Sequence, residues 1–96
     1  FILKVYKKDK RYLFVKNNKF KFLKNLIIFP MDELSNPKKF HENLNIKMSN
    51  MNMSIKIQYP KKNKIFPSSY WIDQKRVKNF LLPTFTKKIF KFLEKN

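Results

Sequence analysis

The side chains that could support acid–base or metal chemistry are few. Asp32 and Glu33 are adjacent, and Glu42 directly follows His41, the single histidine of the chain. Carboxylates beside an imidazole can move protons or hold a metal ion, but either kind of site needs further anchored groups. The chain has no cysteine and no second histidine to complete one. We therefore expect solvated or helix-capping acids, with no catalytic residues, no metal site and no cofactor.

Hydroxyl groups are the other candidate nucleophiles. Ser68 and Ser69 follow Pro67, and Thr84 follows Pro83. A serine or threonine nucleophile needs a neighbouring base, and no histidine or suitably spaced lysine accompanies these hydroxyls. Serine and threonine are also common where helices begin. We expect capping roles, and we expect that the protein is not an enzyme and takes no small-molecule substrate.

Basic side chains dominate the charged residues. The chain carries 23 Lys and Arg against 6 Asp and Glu, so its formal net charge is +17. The acids are too few to neutralise the basic clusters, which are Lys7-Lys8-Lys10-Arg11, Lys16-Lys19-Lys21-Lys24, Lys38-Lys39, Lys61-Lys62-Lys64, Lys75-Arg76-Lys78 and Lys87-Lys88-Lys91. An unbalanced charge of this size favours a polyanionic partner, and neutralising phosphates is the chemistry that fits it.

Lysine outnumbers arginine, and this bears on how RNA would be bound. Lysine contacts phosphate as a point charge, whereas arginine also matches the edge of guanine with two hydrogen bonds. Because Arg11 and Arg76 are the only arginines, we expect contacts with the RNA backbone and its shape rather than extensive base readout. The predicted RNA-binding residues are Lys7, Lys8, Lys10, Arg11, Lys16, Lys19, Lys21, Lys61, Lys62, Lys64, Lys75, Arg76 and Lys78.

Aromatic side chains near these clusters could stack on bases. The candidates are Tyr6, Tyr12, Phe14 and Trp71. Trp71 has two further interpretations, an anchor of the hydrophobic core or a hot spot in a protein interface.

Residues 1–30 are predicted to be β-rich. Asn17-Asn18 follows a strand-favouring run and suits a two-residue hairpin turn, because Asn tolerates left-handed backbone. The predicted hairpin buries Leu13, Val15, Phe20 and Phe22 on one face and carries Tyr12, Phe14, Lys16, Lys19 and Lys21 on the other. A helix over 20–29 is the competing interpretation, since apolar residues there also recur at helical spacing.

The first strand, residues 1–6, is expected to pair with the same run. A loop at 8–10 would place Val5 opposite Leu13, on the buried face. A loop longer by one residue would move these side chains to the basic face, so burial favours the shorter loop. Lys4 and Tyr6 would then join the outer face.

The rest of the chain is predicted to contain a connector, one strand and two helices. Residues 31–52 read as a connection with a short helix that begins at Ser35 or Asn36. Residues 54–59 alternate and predict a strand that ends at Pro60. A helix from Ser68 to about Leu82 would end before Pro83. The last helix, residues 84–94, would bury the stripe Phe85, Ile89, Phe92 and Leu93.

These elements predict a single small α+β domain over 1–96, with 1–30 as its β-rich part, 31–52 as its connector and 53–96 as a strand plus two helices. The hydrophobic fraction of 43%, with 11 Phe, is enough for a core in spite of the charge. The longest apolar run, residues 26–30, is too short for a membrane span. The chain opens at Phe1, so either a leader was removed or the chain begins inside a longer product.

Composition and charge together predict a function class. Small proteins that combine a core with a large basic excess are typical of ribosomes, and abundant Lys, Asn, Phe and Ile with no Gly indicates an AT-rich genome. We therefore expect a structural rRNA-binding protein of a mitochondrial or other organellar ribosome, in contact with ribosomal RNA and neighbouring ribosomal proteins and not with a membrane. The alternative is a small accessory subunit of a membrane energy complex, with its basic C-terminal helix at the membrane surface.

Overall fold

The computed structural model of the protein describes residues 1–33, 43–48, 51–61, 69–79 and 82–95. Its elements in chain order are β1 Ile2–Lys4, β2 Lys7–Lys8, β3 Arg11–Lys16, β4 Ile27–Ile28, β5 Met31–Asp32, β6 Leu44–Met48, β7 Met51–Gln58, β8 Ser69–Asp73, a 3₁₀ helix at Val77–Asn79 and α1 Thr84–Lys95. The chain is thus a mixed α+β protein, mostly strands with a C-terminal helix, and this part of the predicted fold class is confirmed.

The first sheet has the strand order β5-β1-β7-β6. Strand β1 lies inside it, antiparallel to β5 and parallel to β7, with Leu3 opposite both Met31 and Ile57. Strands β6 and β7 form an antiparallel pair from Leu44–Ile55 to Met48–Met51. Alternation along β7 places Met53 and Ile55 in the core.

The second sheet is centred on β3. Strand β8 pairs with β3 over its length from Arg11–Asp73 to Val15–Ser69. Strands β2 and β4 share the other edge of β3, one at each end. The chain passes directly from β1 to β2 and from β4 to β5, so both connections join the two sheets.

Hydrogen bonds close the junction between the sheets. The N–H of Lys4 donates to the carbonyl oxygen of Pro30 at 2.8 Å, and the N–H of Val5 donates to that of Gln58 at 2.8 Å. Buried backbone groups need such partners. These bonds supply them at the point where the chain leaves β1 and enters the second sheet.

The hydrophobic core lies between the sheets and α1. Phe14 and Phe29 are fully buried, with ring centroids 4.6 Å apart. The ring of Tyr12 meets Phe90 of α1 edge-on, with centroids 5.5 Å apart. The hydroxyl of Thr86, also buried, donates to the carbonyl oxygen of Ile27 at 2.7 Å and fixes the helix against β4.

Helix α1 matches the prediction for 84–94. Phe85, Ile89 and Leu93 are buried as expected. The stripe differs from the prediction at one residue, because Phe90 is buried whereas Phe92 is only half-buried. Its apolar face therefore includes the side that meets Tyr12.

The prediction of a two-residue hairpin turn at Asn17-Asn18 is wrong. Strand β3 pairs with β4 through Val15–Ile28 and Lys16–Ile27, so residues 17–26 form a longer loop. The reason is the side chain of Asn17, which is 2% exposed and binds backbone groups inside this loop. Its Nδ2 donates to the carbonyl oxygens of Phe22 at 2.7 Å and Leu23 at 3.0 Å.

The other side of the Asn17 amide completes the loop. Its Oδ1 accepts from the N–H groups of Lys19 at 3.1 Å and Phe20 at 3.0 Å. Phe20 and Phe22 consequently stack on each other in a loop, with centroids 5.1 Å apart, and not in a strand. Residues 20–29 are not helical either, so the competing interpretation is also wrong.

The predicted pairing of the first strand with β3 is wrong as well. Lys7 and Lys8 pair with β3, opposite Tyr12 and Arg11, and the carbonyl oxygen of Tyr6 accepts from the N–H of Leu13 at 3.0 Å, while β1 belongs to the first sheet. The loop is one residue shorter than expected because Asp9 adopts left-handed backbone with φ 56°. This slip moves Val5 away from Leu13. Leu13 is buried as expected, but Tyr12 and Phe14, which were predicted on the outer face, are buried too.

One prediction for the middle of the chain needs correction. Residues 31–52 contain β5, β6 and the start of β7, so they are not a simple connector. The short helix expected from Ser35 or Asn36 lies at positions outside the described residues, although Leu44, at its expected end, begins β6. The strand expected over 54–59 corresponds to the second half of β7.

The helix expected from Ser68 to Leu82 is also wrong. Residues Ser69–Asp73 form β8, followed by a turn and the short 3₁₀ helix, and α1 is the only α-helix in the part of the chain that the structure describes. Tyr70, Trp71 and Ile72 all favour strands. As a strand, this segment also forms backbone hydrogen bonds with the edge of β3. The sequence suggested a helix because Pro67 and Pro83 bracket a helix-sized interval.

Replacing Asn17 tests the loop. We expect Asn17→Ala to lower the free energy of unfolding by about 1–3 kcal/mol, because it leaves buried backbone groups without partners. Asn18→Ala, at the adjacent exposed position, should change it by less than about 0.5 kcal/mol. Urea unfolding followed by circular dichroism measures both, and equal effects of the two variants would show that Asn17 does not hold the loop.

Candidate nucleic-acid interface

The pairing of β3 with β8 brings two basic clusters together. Lys8 is opposite Arg11 across β2 and β3, and Arg11 is opposite Asp73 across β3 and β8. The carbonyl oxygen of Lys10 accepts a hydrogen bond from the N–H of Gln74 at 2.8 Å, so the two turns lie side by side. We define the basic end as the exposed residues Lys8, Lys10, Arg11, Lys75 and Arg76. Clusters more than sixty positions apart in sequence thus form one surface.

Asp73 shapes the turn that presents half of this surface. Its Oδ1 accepts from the N–H of Lys75 at 2.9 Å, and its carbonyl oxygen accepts from the N–H of Arg76 at 2.8 Å. The Asp73 side chain therefore acts mainly on the backbone, in the manner of an Asx turn. The turn directs a lysine and an arginine outward from the end of β8.

A cleft of about 350 Å³ opens on this end of the sheet. It is lined by Arg11, Trp71, Ile72, Asp73 and Arg76. Trp71 is 38% exposed, which is unusual for the single tryptophan of a chain this small. The cleft contains both arginines of the protein, so the two cations best able to bind planar anionic or base groups meet at one place.

A second basic cleft, of about 410 Å³, lies at the opposite end of β3. Lys4, Lys16 and Lys19 line it together with Asp32, over apolar side chains that include Val15 and Phe20. The ammonium of Lys4 is 3.3 Å from Asp32 Oδ2, and that of Lys19 binds Asp32 Oδ1. Lys16 is exposed and has no acid partner among the described residues.

The ion pairs of Asp32 shift its acidity. The hydrogen bond from Lys19 is the main cause that lowers the pKa of Asp32, the hydrogen bond from Lys4 adds to it, and partial burial opposes both. Since both salt bridges in the described part of the chain involve this one carboxylate, most of the described lysines have no acid partner.

The remaining predicted RNA-binding residues are more scattered. Lys7 lies on the other face of the second sheet, with its Nζ 5.3 Å from the Tyr12 ring centroid. Lys21 and Lys61 are exposed, and neither is among the described residues that line the two basic clefts. Lys62, Lys64 and the side chain of Lys78 lie outside the described part of the structure.

Three of the four candidate stacking rings are enclosed. Tyr6 is 3% exposed, Tyr12 is 7% and Phe14 is 0%, so the placement of these rings on an open outer face is wrong. Tyr12 and Phe14 pack on Phe29 instead. Trp71 alone remains accessible, and the expectation of a Trp71 core anchor is wrong.

Sequence reasoning missed other exposed or site-lining side chains. Tyr59 and Tyr70 are well exposed, and Lys4 joins the second basic cleft. The run of strand-favouring residues Tyr70, Trp71 and Ile72 was the signal that could have identified β8 as a strand. The helical interpretation of this segment concealed it.

Comparison with known proteins finds no matching family model and no matching curated relative. Over the described residues, no helix is both long and apolar enough to cross a membrane. In the same part of the chain, no group of three His, Cys, Asp or Glu side chains is arranged to hold a metal ion.

Stability at low pH tests the ion pairs of Asp32. Because these contacts lower its pKa, they stabilise the fold above about pH 4, and the stabilisation is lost as the pH falls through the lowered value. Asp32→Asn should cost less than about 1 kcal/mol at neutral pH, since the carboxylate is 44% exposed. The variant should also lose less stability than the parent between about pH 7 and pH 3.

Urea unfolding at both pH values measures this difference, and Glu94→Gln, which removes an exposed acid of α1, is the control. The control should keep the pH dependence of the parent. An unchanged pH dependence in Asp32→Asn would mean that the ion pairs do not form in solution.

Proposed function

We propose that the protein is a structural rRNA-binding protein of an organellar ribosome, mitochondrial or otherwise. The observation that carries this proposal is the basic end, where β3 and β8 place five exposed cations from two distant parts of the sequence side by side. A surface of this kind suits a partner with closely spaced negative charges, and the phosphate backbone of RNA is such a partner.

The charge balance of the whole chain supports a polyanion over an acidic protein patch. The net charge of +17 is spread over clusters in every part of the sequence. The cleft around Lys4, Lys16 and Lys19 lies at the opposite end of β3 from the basic end, so contact could occur on more than one side. Contact on several sides is what a protein packed among rRNA segments requires.

The mechanism is electrostatic positioning. Lysines neutralise phosphates and release counterions, which supplies affinity without much sequence preference. The rigid core, with aromatic rings packed on Phe29, holds these cations in a defined arrangement that can match RNA shape. No chemical step is involved, and the protein would act as a scaffold among RNA and neighbouring ribosomal proteins.

The fold bears on the membrane alternative. That alternative uses the apolar stripe of α1, but Phe85, Ile89 and Leu93 are buried in the core of the protein. The helix exposes lysines instead, among them Lys87, Lys88 and Lys91. A helix without a free apolar face gains little from a bilayer beyond charge attraction, which favours RNA as the partner.

Salt titration of RNA binding tests the proposal. If about six to ten phosphates are neutralised, affinity for a structured rRNA fragment should fall roughly 10³–10⁵-fold between about 50 and 200 mM salt. Changing Lys8, Lys10 and Lys75 together to Gln should flatten the salt slope by up to about three units. Fluorescence anisotropy of labelled RNA measures both effects.

The control is a triple change with the same loss of charge at exposed positions outside the basic end, Lys47, Lys87 and Lys88 to Gln. It should flatten the slope less. Equal effects would show that only net charge matters and that the basic end is not the interface. Affinity that does not depend on salt, or binding to anionic vesicles without binding to RNA, would exclude the ribosomal proposal.

A further inference from the structure

The cleft that contains both arginines also contains the single tryptophan. We propose that this cleft, between Arg11, Trp71 and Arg76, holds one unpaired nucleotide of the RNA, with its base stacked on Trp71. This inference rests on the proposed function and goes beyond it, because it adds recognition of a single-stranded base to contact with the phosphate backbone. The volume of about 350 Å³ lies within the range of roughly 300–1,000 Å³ that is typical of ligand sites.

The sheet geometry keeps Trp71 at the surface. Trp71 is opposite Leu13, whereas its neighbour Ile72 is opposite Tyr12. Cross-strand partners point to the same face, and successive residues point to opposite faces. Ile72 and Tyr12 are buried on the side of α1, so Trp71 projects from the other face, where Leu13 is only 2% exposed but Trp71 is 38% exposed. Its ring is therefore accessible and also carried by a rigid strand.

The charges around the ring favour a nucleotide. Arg11 projects from the same face of β3, and Arg76 comes from the turn after β8. Asp73 is the one acid among the described residues that line the cleft, and its Oδ1 accepts a hydrogen bond from the N–H of Lys75. Two guanidinium groups beside an aromatic ring can bind a phosphate and stack on or hydrogen-bond to a base. Stacking on tryptophan accepts any base, because every base has a π face.

A protein partner is the other class of molecule that uses exposed tryptophan and arginine. The observations favour RNA, because the positive charge continues from the cleft to Lys8, Lys10 and Lys75. This rim of cations continues the path that an RNA backbone would follow.

Tryptophan fluorescence tests the proposal directly, because Trp71 is the only tryptophan and reports on this cleft alone. The probes are a labelled oligouridine of about ten nucleotides and a blunt RNA duplex of the same length. We expect the single strand to quench Trp71 and the duplex to leave its emission nearly unchanged. Anisotropy of the labelled RNA measures total binding in the same samples.

Variants separate stacking from a structural role. Trp71→Leu removes the π face and should weaken binding of the single strand about 5- to 150-fold, with little change for the duplex. Trp71→Phe keeps a ring and should restore much of the loss. Tyr59→Leu, at an exposed aromatic position beside the first sheet, is the matched control and should bind like the parent. Arg76→Gln should weaken single-strand binding more than Lys88→Gln, although both remove one charge.

The outcomes distinguish this inference from the proposed function. Binding of both RNAs without a change in Trp71 emission, or equal quenching by both, would overturn the nucleotide site and leave backbone binding intact. Binding of neither RNA would overturn the proposed function itself. A loss in Trp71→Leu that is equal for single strand and duplex, with a lowered urea midpoint, would assign Trp71 a structural role.

Discussion

The pairing of β3 with β8 is the interaction on which the rest of the structure depends. It fixes which side chains of both strands face the core, because Tyr12 and Ile72 share one face while Leu13 and Trp71 share the other. The inner face provides the surface on which α1 packs through Tyr12 and Phe90. The same pairing brings the turn at 9–10 beside the turn at 74–76. The core and the candidate interface are therefore two consequences of one strand register.

Charge imposes the second constraint on this fold. Most elements carry lysine, yet charged side chains are costly to bury without partners, so the core has to be assembled from the apolar positions between them. Abundant phenylalanine makes this practicable, since large rings bury much area per residue. Lysines remain on the surface at both ends of β3, and Asp32 can neutralise only those beside it. The folded chain is a compact arrangement of like charges, which a polyanion would stabilise.

Some elements could be predicted because local signals agreed. Helix α1 has a helical period of apolar residues after a proline, and the second half of β7 has strict alternation. Elsewhere the structure that the local sequence pattern favoured was overridden by hydrogen bonds with other parts of the chain. Asn17-Asn18 suits a tight turn, but the Asn17 amide forms several buried bonds with the residues that follow and holds a longer loop. Residues 69–73 are too short a segment to distinguish a helix from a strand by pattern. They form a strand because they pair with the edge of β3.

The sequence by itself determined the charge, the aromatic core material and the C-terminal helix, because these depend on composition and on short-range periodicity. Only the tertiary structure decided which strands pair and which aromatic rings are enclosed. Tyr12 and Trp71 look alike in sequence, as aromatic residues beside basic clusters, yet one is buried and the other lines the cleft with Arg11 and Arg76. The physical reason is that β3 is covered on both faces, so that Tyr12, Leu13 and Phe14 are all buried, whereas β8 exposes Trp71 on the face away from α1. The register between β3 and β8 is set by hydrogen bonds between residues far apart in the chain, such as Arg11 and Asp73, and no local pattern encodes it.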